Sequence, residues 1–100
     1  MSASTASFKV GTYTRMKAVL KLTNTADSRG FMNEADVDLS VLKTLNDKQT
    51  LVKVPFPYND CCLSLYYNST NDVVSIAVTT WNGGTGSSTC SVALVKYYLK

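Results

Sequence analysis

The sequence predicts an all-β fold, a compact antiparallel β-sandwich of about seven strands, and three observations carry that expectation. Residues 14–23 alternate, with Met16, Ala18, Leu20 and Leu22 on one side and Arg15, Lys17, Val19 and Lys21 on the other. That is the period of a strand with one buried face. Residues 73–81, VVSIAVTTW, are dense in the β-branched types that suit a pleated surface. Turn-forming clusters, NTADSRG, NSTND and NGGTGSS, punctuate the apolar runs at fairly even spacing, as in sandwiches and small barrels.

Taken in chain order, residues 1–7 are small and polar and predict a flexible N-terminal arm, with a single sandwich domain over 8–100. Phe8 to Tyr13 reads as the first strand, with a break at Gly11, and Thr14 to Thr23 as the second. Residues 24–30 form a loop by composition. The next segment, NEADVDLSVLKTLNDK, supports two readings. As a helix it is capped by Asn33 and stacks Val37, Val41 and Leu45 at spacings of four. As a strand it alternates Ala35, Val37, Leu39 and Val41 with Asp36, Asp38 and Ser40, and its strand neighbours favour this choice.

After the turn residues Asn46 and Asp47, QTLVKV is a strand that Pro55 and Pro57 terminate, since neither can donate a ladder hydrogen bond. Asn59 and Asp60 turn the chain into Cys61 to Tyr67. Residues 63–79 form a hairpin around Asn68–Asp72, and Thr89 to Leu99 is the closing strand after the 82–88 loop.

Composition narrows the function classes. The chain has 100 residues, 45% hydrophobic and only 17% charged, with a net charge of +3. A chain this short buries about two-thirds of its unfolded surface, so sparse charge points to apolar surface covered by a partner or by copies of the chain. No run is long enough to span a bilayer, and the N-terminus lacks a signal peptide. Neither a membrane nor a small-molecule substrate is expected as a partner.

There is no histidine, which removes His-dependent triads and the commonest metal ligand. Cys61, Cys62 and Cys90 read as free buried thiols, with Cys61 and Cys62 on opposite strand faces. A Cys61–Cys90 or Cys62–Cys90 disulfide would need an oxidising compartment. Asp36 and Asp38 share a face in the strand reading, where Ca²⁺ binding or acid–base work competes with an ordinary solvated face. NGGTGSS lacks the lysine and following helix of a phosphate loop, and the Asn68-Ser69-Thr70 sequon needs a secretory route. The expectation is a non-enzyme without catalytic residues, metal or cofactor.

Two sets of candidate residues remain. Arg15, Lys17 and Lys21 line one strand face and would meet nucleic-acid phosphates, with no aromatic interleaved among them in sequence. Tyr66, Tyr67, Trp81, Tyr97 and Tyr98 are candidate interface anchors, each tyrosine pair sending one ring inward and one outward.

Residues 36–99 carry a resemblance. The KVPFPY corner at 53–58 and the YYNST turn at 66–70, followed by a long β-rich strand and a closing strand, resemble the later strands of jelly-roll capsid proteins of picorna-like RNA viruses. The chain is shorter than such subunits, so the resemblance implies a reduced jelly roll and a small coat or decoration protein of a virus or phage. It implies self-assembly into a homo-oligomer or shell, synthesis in a host cytoplasm, residence in the virion and contact with packaged nucleic acid. The competing expectation is a small immunoglobulin-like or carbohydrate-binding sandwich that uses Trp81 and the 82–88 loop.

Overall fold

The structure is a computed structural model and describes residues 5–24, 28–45, 48–57, 59–81 and 90–100. Its strands are β1 (Thr5–Lys9), β2 (Arg15–Asn24), β3 (Arg29–Asp38), β4 (Gln49–Val54), β5 (Cys61–Asn68), β6 (Val73–Thr80) and β7 (Cys90–Leu99), with one short helix, α1 (Leu39–Thr44). They form two antiparallel sheets, β1-β6-β5-β4 and β3-β2-β7, packed face to face as a sandwich. In the larger sheet the meander β4-β5-β6 with β1 beside β6 has a Greek-key order. The smaller sheet is a β2–β3 hairpin with β7 added on its other side.

The alternation in β2 places Met16, Ala18, Leu20 and Leu22 fully inside. Opposite them lie Cys61, Leu63 and Leu65 of β5 and Val74, Ile76 and Val78 of β6. Because side chains on a strand alternate, this one set of apolar residues fixes which face of each sheet meets water.

Four boundaries differ from the sequence expectations, each for a physical reason. The first strand spans Thr5–Lys9, so Thr5, Ala6 and Ser7, assigned by sequence to the arm, pair with Ala77, Ile76 and Ser75 of β6. Residues 1–4 of that arm lie outside the described residues. The strand stops because Gly11 takes a left-handed φ of 55°, which few non-glycine residues adopt. Its N–H donates to Asp72 Oδ2 at 2.9 Å, and the Val10 N–H donates to the Asp72 carbonyl. Asp72 belongs to the β5–β6 turn, where the Tyr67 hydroxyl also donates to its Oδ1 at 2.8 Å. One turn residue therefore ties the β5–β6 turn to the end of β1.

β3 starts at Arg29, inside the expected 24–30 loop, whose residues 25–27 lie outside the described set. The ambiguous 33–48 segment resolves into both of its readings in succession. Strand alternation buries Ala35 and Val37 up to Asp38; helical spacing then buries Leu39 and Leu42. The helix cap is Asp38 rather than Asn33: its Oδ1 accepts the Ser40 N–H at 2.9 Å and the Val41 N–H at 3.3 Å. Val41 stands exposed instead of alternating inward. Asn46 and Asp47 lie outside the described residues.

β7 contains a register shift: Leu94 pairs with Leu20, but Lys96 pairs with Val19. Val95 is the extra, bulged residue, and it resets the alternation so that Leu94, Tyr97 and Leu99 all turn inward. The corner at 55–60 is a turn as expected, with the Asn59 N–H donating to the Pro57 carbonyl and the Trp81 N–H to the Asp60 carbonyl.

Candidate functional site

The two outer faces of the sandwich have opposite chemistry. In the strands of the four-stranded sheet the charged residues are Lys9 and Lys53. Strand alternation and register place Thr5, Ser7, Ser75, Ala77, Thr79, Ser64, Tyr66, Gln49 and Leu51 on the outer side between them. Leu51 is 54% exposed and Tyr66 38% exposed. Lys9 pairs at the Asn68–Val73 end and Lys53 at the Cys62 end of the opposite edge, so the two cations occupy diagonal corners. Beside Lys53 stands Trp81, its ring centroid 5.5 Å from the Lys53 Nζ, while Lys53 also pairs with Asp60 at 3.4 Å.

The outer face of the three-stranded sheet is ordered in columns. β3 contributes Met32, Glu34, Asp36 and Asp38; β2 contributes Lys21, Val19, Lys17 and Arg15; β7 contributes Ala93, Lys96 and Tyr98. Adjacent columns are about 4.8 Å apart, so each β2 cation other than Lys21 has a carboxylate across the ladder. Arg15 pairs with Asp38 at 3.6 Å and Lys17 with Glu34 at 3.9 Å. Lys21 lies across from Met32 and Ala93. A phosphate drawn to Lys17 would therefore also meet Glu34 and Asp36.

This face is hollowed on either side of Tyr98. One hollow, of ≈ 470 Å³, is lined by Arg15, Met16, Lys17, Glu34, Asp36, Tyr98 and Lys100. A second, of ≈ 400 Å³, lies between Met32, Glu34, Lys96 and Tyr98, over Val19. Val19 points outward yet is only 6% exposed, because its ladder neighbours Glu34 and Lys96 flank it. The Tyr98 hydroxyl holds the Lys96 ammonium above the usual lysine range; the Lys96 Nζ is 5.4 Å from the Tyr98 ring centroid.

The aromatic candidates divide as strand alternation requires. Tyr66, Trp81 and Tyr98 face outward, the first two on one sheet and Tyr98 on the other. Tyr67 and Tyr97 face inward: Tyr67 is buried, and the partly buried Tyr97 stacks on Phe8 at 5.4 Å between centroids. Sequence reasoning treated the cations of β2 as lacking an aromatic neighbour. The β2–β7 pairing supplies one, since Tyr98 sits directly across from Lys17. The signal was an outward tyrosine, but only the strand order shows whose neighbour it is.

The cysteines are unpaired. Cys61 points inward, fully buried, and burial, followed by the nearby Asp60 carboxylate and the Cys90 thiol, pushes its thiol up to about 12. A thiol so placed is protonated at neutral pH and is not a nucleophile. Cys62 points to the other face, between Lys53 and Thr79 in the ladder. Among the described residues no three carboxylates or thiols converge into a metal-holding group, and no helix is long and apolar enough to cross a membrane. The 82–88 loop lies outside the described residues. Asp36 and Asp38 do share the outer face of β3, where Asp38 is engaged by the helix cap and by Arg15. No family model matches the chain, and no curated protein or solved structure matches it.

Proposed function

We propose that the chain is a structural subunit, a coat or decoration protein of a virus or phage particle, that associates with its own copies through the outer face of the four-stranded sheet. The observation that carries this is the chemistry of that face: short uncharged side chains in the centre, exposed Leu51 and Tyr66, and cations only at the corners. Docking it removes little charge from water, and Ser, Thr and Ala lose little rotamer freedom when covered. Depletion of charge at the centre is a feature shared with protein interfaces, and Tyr66 supplies an aromatic of the kind enriched there. The diagonal placement of Lys9 and Lys53 suits a second copy, because a two-fold axis in the sheet plane, along or across the strands, keeps like charges apart.

The magnitude also suits assembly. Four strands about 4.8 Å apart and about 20 Å long give roughly 400 Å² of planar face per subunit, below the ~800 Å² per partner of a standard interface. Each contact is then weak by itself, and stability comes from many simultaneous contacts, as in a closed shell.

Light scattering coupled to size exclusion, with electron micrographs of the same fractions, tests this. Large regular particles are expected, and Ala77→Lys, a charge at the centre of the face, should reduce them to monomers. A concentration-independent monomer in the unaltered chain would overturn the proposal.

A further inference from the structure

The assembly role uses one face and leaves the other unexplained. We propose that the hollow of ≈ 470 Å³ on the outer face of the three-stranded sheet binds a neutral saccharide, with the Tyr98 ring as its stacking platform. Asp36, Glu34, Lys17 and Arg15 supply its hydroxyl partners.

The size is that of a small-ligand site, for which a few hundred Å³ is typical. Tyr98 is 50% exposed and lines both hollows, whereas Lys96 lines only the second. Lys96 thus borders the ring in the second hollow, whereas the first is bordered by Tyr98 with Lys17 and Asp36. A sugar's C–H face covers such a ring at small entropic cost, since tyrosine has only two side-chain torsions to fix.

Charge selects among ligand classes. The lining sets Arg15, Lys17 and Lys100 against Glu34 and Asp36, with Asp38 already on Arg15. A polyanion meets two carboxylates for every approach to the cations, and a cationic peptide meets three cations. An uncharged polyol finds donors and acceptors side by side and pays for neither repulsion. Asp36 forms no ion pair or hydrogen bond with the described residues, so both its oxygens are open to adjacent hydroxyls. The long, exposed Lys17–Glu34 and Arg15–Asp38 pairs are of the kind worth least, so a ligand can part them cheaply.

Saturation-transfer NMR with maltose, lactose, cellobiose and chitobiose tests the site, and it reads monomer and assembled particle alike. At least one disaccharide should receive saturation at millimolar concentration. Tyr98→Ala should weaken binding about tenfold, Asp36→Asn should weaken it, and Tyr98→Phe, which keeps the platform, should retain it. Tyr66→Ala on the opposite face should leave it unchanged, and Ala77→Lys monomers should bind as well as particles, which separates this site from the assembly face. Absence of transfer to all four sugars, or full binding by Tyr98→Ala, overturns the proposal. So does inorganic phosphate shifting the signals of Lys17 and Tyr98 while none of the sugars does, which would make the hollow an anion site.

Discussion

Two leucines on one strand should differ in how much their truncation costs. Leu63 and Leu65 both project inward from β5 and are fully buried. Leu65, however, lines a groove of ≈ 220 Å³ where α1 meets β3 and β4, together with Val41, Leu42, Leu45, Val52, Val37 and Thr50. Leu63 lies between Val52 and Val78 in the sheet, deeper within the core. Leu→Ala removes about three carbon groups, a transfer loss of about 2.4 kcal/mol. If the vacated space stays empty, roughly 75 Å³ adds about 1.8 kcal/mol more. Leu63→Ala should bear both costs, about 4 kcal/mol. At Leu65 the void merges with the groove, and the exposed end of α1 can settle into it, so the cost should stay near the transfer loss alone. For a domain of this size, with about 5–15 kcal/mol in total, both are large.

Urea unfolding followed by far-UV circular dichroism measures the difference. With slopes of about 1–3 kcal/mol per molar, the two midpoints should lie roughly 1 M apart, with Leu63→Ala the less stable. Equal midpoints, or a lower one for Leu65→Ala, would refute the idea that the groove relieves the cavity.

The remaining predictions concern the thiol, the helix cap, the glycines and one turn carboxylate. Native Cys61 should resist iodoacetamide until unfolding, since a pKa near 12 rather than 9.0 lowers its thiolate population about a thousandfold; peptide mapping that found it modified at a free-thiol rate would contradict its burial. Asp38→Ala should cost about 1 kcal/mol by uncapping α1, whereas Asp38→Ser should restore most of it; thermal melts that rank the two equally would remove the cap from the account. Gly11→Ala should destabilise by about 1 kcal/mol because of its left-handed φ, while Gly30→Ala meets only the movable end of Lys21 at 2.9 Å and should be milder. The Tyr67 hydroxyl, then the Gly11 amide, hold the Asp72 carboxyl below its ordinary 3.8. Its stabilising contribution is therefore complete above that value and lost as pH falls through the folded one, so Asp72→Asn should show a shallower acid loss of stability.

What could be read from sequence was what local periodicity records. The alternation of residues 15–22 gave β2 its inward face, and the Asn68–Asp72 turn marked the β5–β6 hairpin. The opposed Cys61 and Cys62 followed from strand geometry alone. Thr5–Ser7 was missed because small polar residues carry no apolar signal, and their strand exists through backbone pairing with β6. The switch at Leu39 was hidden because Val37, Leu39 and Val41 fit both periods; only the caps at Asp38 and Leu45 decide between them. The hollow was out of reach for a different reason. Arg15 and Lys17 lie some eighty residues from Tyr98, and nothing local to either segment announces the β2–β7 pairing that makes them neighbours.

The proposed association through faces, rather than edges, fits how the four sheet edges end. An open edge would template unlimited strand addition and fibres. β1 has five residues and stops at the Gly11 turn; β4 has six and stops at Pro55 and Pro57. β7 is longer, but the bulge at Val95 and the Lys96 beside it interrupt its ladder. β3 is long too, but its Asn33 side chain donates to the Pro55 carbonyl at 2.9 Å, and α1 borders the groove between β3 and β4. Each edge is thus short, bulged or tied across, devices by which β proteins discourage edge pairing. In the proposed assembly such edges would leave the flat face as the place where copies meet. Removing the edge protection while leaving the face alone, with Pro55→Thr and Pro57→Thr together, should therefore turn regular particles into thioflavin-positive fibres; particles unchanged by that double variant would mean the edges play no part in directing assembly.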